Sequence, residues 1–294
     1  MSRTAGGSRG NAVLLALSLV WFGAMLWSAN ANIVGTGNAL GALIQVADAL
    51  PVVIAAGMLA GAATALAVLS RLRLRARLHW PVALGSGAAV GAVAAGLILI
   101  GYGHRSSITV LAVSVVVAGA VGGALGALRP PELVAAGVAG TLAAFFVAFA
   151  LHVFEDQMSR VFGAGSSPAS QLAAASRLAL TTSLLGGAAA GVLAFFHLRR
   201  SSGERRFPVY LAAGAFPGVL LLLSEAVTLI GGAQIFGLVG GLSDADHAIL
   251  DYVGHSRLNH ALIMLFVGAI VALLCFGRSL RPAAPAETAR SKVS

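Results

Sequence analysis

The sequence predicts an all-α integral membrane protein with about eight transmembrane helices, on three observations. Hydrophobic residues make up 58% of the 294 and charged residues only 10%, with mean hydropathy +0.91. A water-facing surface needs roughly 25% charged residues. The apolar residues gather into eight runs near the roughly 20 residues that cross about 30 Å of hydrocarbon, and short arginine-rich segments separate several of them.

In chain order the runs are Ala12–Val34, Leu50–Ser70, Pro81–Tyr102, Ile108–Leu128, Leu133–Phe154, Leu178–Leu198, Phe207–Ile230 and Asn259–Phe276. Backbone polar groups in lipid must bond internally, so each run is expected to be a helix despite its glycines. Ala29-Asn30-Ala31 has the form of a signal-peptidase site, but the first run is kept as a span.

Orientation follows from the asymmetry of Lys and Arg. With the N-terminus inside, 15 fall on cytoplasmic segments, and only Arg105, Arg160, Arg177 and Arg257 fall outside. Both termini are therefore expected in the cytoplasm. The net charge of +9 belongs to these orienting clusters, so the lipid bilayer is the expected partner and nucleic acid is not. Eighteen arginines against one lysine, with abundant Ala, Gly and Val, suit a GC-rich bacterial genome and a bacterial plasma membrane. Cys275 is alone, which excludes an internal disulfide and a thiolate cluster.

Two halves of four spans are expected, 1–128 and 133–277, with a disordered tail at 282–294. HWPVALGSGAAVG around Trp80 and RFPVYLAAGAFPG around Phe207 match in proline, valine, leucine and small residues at an offset of 127. Gly35-Thr36-Gly37 and Gly163-Ala164-Gly165 open similar outer segments. A duplication of four-helix units would be parallel, about an axis along the membrane normal. Small residues spaced by four (Gly57/Gly61, Gly87/Gly91, Gly119/Gly123, Gly122/Gly126, Gly187/Gly191, Gly214/Gly218) allow close helix approach. They are candidate faces for a membrane-protein partner or a second copy.

Short interfacial helices are expected in Glu155–Arg177. Glycine-rich GGAQIFGLVGG, from Gly231, could re-enter the membrane if buried in protein.

Two constellations could carry chemistry. Glu225 is the one carboxylate assigned to a span, and an intramembrane ionisable residue points to function by default. Pro217 upstream should kink or break that helix, as in solute sites built on broken helices. Ser224 and Thr228 flank the carboxylate, which needs a proton, a cation, a hydroxyl or an outer-end histidine such as His260 or His152 as partner. Together these four residues outline a candidate ion or substrate pathway.

The second constellation is Asp244, Asp246, His247, Asp251 and His255. On a helix, His247, Asp251 and His255 share one face at i, i+4 and i+8, a set able to take a divalent transition metal. The plainer reading is a solvated face of an amphipathic helix. Asp244-Ala245-Asp246-His247 resembles four residues of the nickel/cobalt transporter signature. Gly241 stands at that family's first histidine, and the segment lies in the last outer loop, so no residue is carried over. No opposed mid-membrane histidine pair exists, and haem is not expected.

Walker, GxSxG and HExxH motifs are absent. The expectation is a permease-like protein for a small solute or ion. Alternatives are a non-transporting accessory or scaffold subunit of an envelope complex, and an intramembrane enzyme.

Overall fold

The computed structural model describes residues 4–34, 39–72, 76–102, 106–201, 207–237 and 244–279. Among them are nine helices and no strand: α1 (Thr4–Val34), α2 (Ala39–Arg71), α3 (Ala76–Tyr102), α4 (Ser106–Gly126), α5 (Pro131–Val153), α6 (Glu155–Val161), α7 (Pro168–Arg200), α8 (Phe207–Gly237) and α9 (Asp244–Ser279). All except the short α6 are long and apolar enough to cross a membrane. The protein is a multi-pass, all-α membrane protein whose outer faces meet lipid.

Local chemistry sets several boundaries. Pro131 and Pro168 open α5 and α7, where a missing N–H costs nothing because no carbonyl would have received it. Ser167 caps α7 by accepting from the Ser170 N–H. Inside the spans, hydroxyls turn back onto their own helix: Thr64 donates to the Ala60 carbonyl and Thr141 to that of Gly137. This satisfies a polar group without a partner helix.

The helix α2 is the central post. It packs on α1, α3 and α4, and also on α5 and α8, and every residue from Val53 to Ala63 is buried. The main apolar core draws on α1, α2, α3, α4, α5 and α8. A second cluster, Ala136, Ala194, Phe195, Leu198, Tyr210 and Ala213, ties α5, α7 and α8 together near the arginine-rich end. There Tyr210 stacks on Phe276 with ring centroids 4.6 Å apart. Trp21 of α1 stacks on Phe145 of α5 at 5.9 Å, a seam between these two helices.

The glycine pairs are spent within the chain. A methyl added at Gly61 or Gly87 would collide with the Gly119 carbonyl, and one at Gly122 with that of Met58. Gly187, Gly191 and Gly214 press on α9 around Gly268. Lacking a Cβ, glycine permits this approach, where dispersion and weak hydrogen bonds accumulate. The faces expected to greet a partner are already occupied by neighbouring helices.

Three expectations are corrected. The helix α8 is continuous through Pro217, so it is not broken there. Proline removes one hydrogen bond, and contacts of Gly214 with Gly268 and of Gly218 with Leu265 hold both sides of the gap against α9. Residues 231–237 of the segment expected to re-enter continue α8, and its remainder, 238–241, lies outside the described residues. The amphipathic segment and the last span form one 36-residue helix, α9. In the 155–177 region, α6 is an exposed short helix as expected, whereas from Pro168 the chain is already α7.

Candidate functional site

Polar side chains collect where α8, α9 and α7 meet, toward the end opposite the arginine-rich loops. The helix α8 carries Glu225 inward because the residue follows Leu220 on the buried stripe that includes Ser224 and Thr228. Starting at Asp244, α9 brings Arg257 alongside. Arg257 Nε lies 3.4 Å from Glu225 Oε2, with side-chain exposures of 35% and 8%. That separation is longer than a well-formed charge-assisted hydrogen bond. Glu225 Oε1 has no hydrogen-bond partner among the described residues.

Burying a carboxylate costs several kcal/mol of lost hydration, which a nearby cation offsets only with good geometry and further hydrogen bonds. Here the geometry is loose and one oxygen is left over. The carboxylate therefore retains capacity for another cation or a proton at Oε1.

The flanking hydroxyls do not supply that contact. Ser224 Oγ donates to the Leu221 carbonyl and Thr228 Oγ1 to that of Ser224, each at 2.8 Å. Pro217 lies eight residues, about 12 Å, before Glu225 along α8. Its contribution is to the helix backbone rather than to the carboxylate's surroundings.

One turn after Arg257, His260 faces α7. Its Nδ1 lies 2.6 Å from Ser183 Oγ, and the same hydroxyl is 2.7 Å from the Ala179 carbonyl. His260 also lines a cleft of about 360 Å³ between α5, α7 and α9, with Leu151, His152, Glu155, Leu178 and Thr182. At its rim His152 Nδ1 meets Glu155 Oε2 at 2.7 Å, both well exposed. Such surface pairs contribute little to stability.

The histidines expected as partners of Glu225 are thus engaged elsewhere, His260 with Ser183 and His152 with Glu155. Arg257, assigned by sequence to an outer loop, takes the place beside Glu225. It was legible in one respect: four residues after Val253, it can share a helix with the last apolar run. The Ser183–His260 bond joins residues 77 apart, and no motif announces it.

For the aspartate–histidine constellation, the backbone from Asp244 is helical. The side chains of Asp244, Asp246, His247 and Asp251 lie outside the described residues, whereas His255 is exposed. Among the described residues no group of three or more His, Cys, Asp or Glu side chains is placed to hold a metal ion.

No known protein family matches the chain, and neither does any curated protein or solved structure.

Proposed function

We propose that this is a permease-like protein of a bacterial plasma membrane that moves a small solute or ion, with its arginine-rich end in the cytoplasm. Glu225 is its coupling group, Ser224 and Thr228 belong to the same stretch of pathway, and Pro217, two turns earlier on α8, shapes the helix that carries them. The observation that supports this reading is the loosely paired, buried Glu225 facing Arg257. A carboxylate with one oxygen engaged and one open can exchange a proton or cation for its arginine. That exchange is what couples ion movement to a conformational change.

Purified protein in proteoliposomes with an internal pH dye, driven by an imposed potassium diffusion potential, tests this. Wild type is expected to acidify the lumen, and Glu225→Gln to lose at least about tenfold of that rate. The amide keeps the side chain's shape and cannot titrate. A Glu225→Gln rate equal to wild type would end the coupling role.

A second reading, the accessory or scaffold subunit, draws on the dry stretch of α2, where every residue from Val53 to Ala63 is buried. It predicts no flux from wild type and a defined membrane protein retained through purification in mild detergent.

A further inference from the structure

The helix contacts repeat between the halves with a fixed register. In the first half Gly87 of α3 abuts the Gly119 carbonyl and Gly123 on α4, and Gly91 abuts Val116. From α2, Gly61 reaches the same Gly119 carbonyl, and Gly57, which lies closest to Phe22 of α1, also comes up against Ala118. In the second half Gly214 of α8 abuts the Gly268 carbonyl and Ala272 on α9, and Gly218 abuts Leu265. From α7, Gly191 reaches the same Gly268 carbonyl, and Gly187 faces Val267.

Every one of these correspondences obeys a single offset per helix: 130 from α2 to α7, 127 from α3 to α8, and 149 from α4 to α9. Composition alone gives glycine-rich helices, but it does not give the same contacts at the same register on three helices. The rise from 127 to 149 means 22 more residues separate Gly218 from Leu265 than separate Gly91 from Val116, most of them as a longer end of α8 and an earlier start of α9.

We infer that the chain is a duplicated four-helix unit whose second copy carries one polar site (Glu225, Arg257, Ser183 and His260) at positions that the first copy fills with aliphatic side chains. The offsets put Ile98 at the place of Glu225 and Ile108 at that of Arg257. They put Val53 at the place of Ser183 and Leu111 at that of His260. All four are at most 5% exposed and belong to the main apolar core.

The first copy therefore shows what the fold requires at these positions, and it is hydrocarbon. A buried ion pair exchanged for well-packed apolar residues is often neutral or stabilising. Two separate pairs, one between α8 and α9 and one between α7 and α9, have both become polar in the same copy and at the same end. Packing has no use for either change.

The Ser183–His260 pair lies one turn of α9 from the Glu225–Arg257 pair, and the two pairs together make up the grafted polar region. Of the four side chains only the Glu225 carboxylate and the His260 imidazole can take up and release a proton as general acids and bases do, so the ligand we assign is a proton. That last step rests on the coupling reading above, whereas the graft itself does not.

The test is to install the first-copy residues in the second copy: Glu225→Ile with Arg257→Ile, Ser183→Val with His260→Leu, and all four together. Thermal unfolding in detergent is measured beside proton uptake in proteoliposomes. The expected result is a melting temperature within about 3 °C of wild type or higher for each paired variant, with proton uptake lost in the fourfold variant. The single variant Glu225→Ile should melt lower than the pair, because it strands Arg257. Paired variants that melt far below wild type, or fail to accumulate while Glu225→Gln accumulates normally, would overturn the graft. Stable variants that still take up protons would overturn the proton assignment and leave the duplication in place.

Discussion

Ser183 Oγ sits 2.6 Å from His260 Nδ1 and 2.7 Å from the Ala179 carbonyl oxygen. A hydroxyl has one proton. If it is donated to the carbonyl, the contact to the ring requires Nδ1–H to donate to Ser183 Oγ. The imidazole is then held with Nε2 free to accept.

The first prediction follows from that proton count. In ¹⁵N-histidine spectra, neutral His260 is expected as the Nδ1–H tautomer, and Ser183→Ala should shift it toward Nε2–H. A wild-type ring already protonated at Nε2 alone would show that the serine donates to the ring.

A second prediction concerns the α8–α9 ion pair. A double-mutant cycle on Glu225→Gln and Arg257→Gln, read from thermal unfolding, should give a coupling of about 1 kcal/mol. It belongs at the low end of the usual range because Arg257 is 35% exposed and partly screened by water. A coupling of zero would mean that the two charges do not sense each other.

The glycine seams give a third. Gly119→Ile and Gly268→Ile each place a branched side chain into a facing backbone, and each should cost about 1–3 kcal/mol or more. Gly85→Ala and Gly96→Ala, where nothing lies within 4 Å, should be neutral or slightly stabilising. Equal losses at both kinds of position would contradict the packing described.

The proposed orientation gives a fourth. In a Cys275→Ser background, cysteines at Ser166 and Ser201, which flank α7, should react with an impermeant maleimide from opposite sides of the membrane. Labelling of both from one side would exclude α7 as a span.

The spans were legible because a 20-residue apolar run in lipid has one solution. Their ends were less so. The helix α2 begins at Ala39, eleven residues before the run at Leu50, since helicity persists through Gln45 and Asp48 where hydropathy falls. Of the kink or break expected at Pro217, the break does not occur, because neighbours on α9 clasp the helix on both sides of the proline. Glu225 stood out as the one carboxylate in an apolar run. Its partner did not, since Arg257 is 32 residues away in the sequence and reaches it only because α9 starts early. The proposed halves rested in sequence on the matches around Trp80 and Phe207 and on the glycine pairs at 35–37 and 163–165; the register on the other helices needed the glycine contacts.

At about 1.5 Å per residue, the 36 residues of α9 make a rod about 54 Å long, against roughly 30 Å of hydrocarbon. Part of the excess, the ten residues from Asp244 to Val253, precedes the apolar span that begins at Gly254, and no break in the helix separates it from Arg257. A push or twist applied at that tip arrives at the arginine as rigid displacement, one turn into the span. Whatever docks there has a lever on the charge beside Glu225.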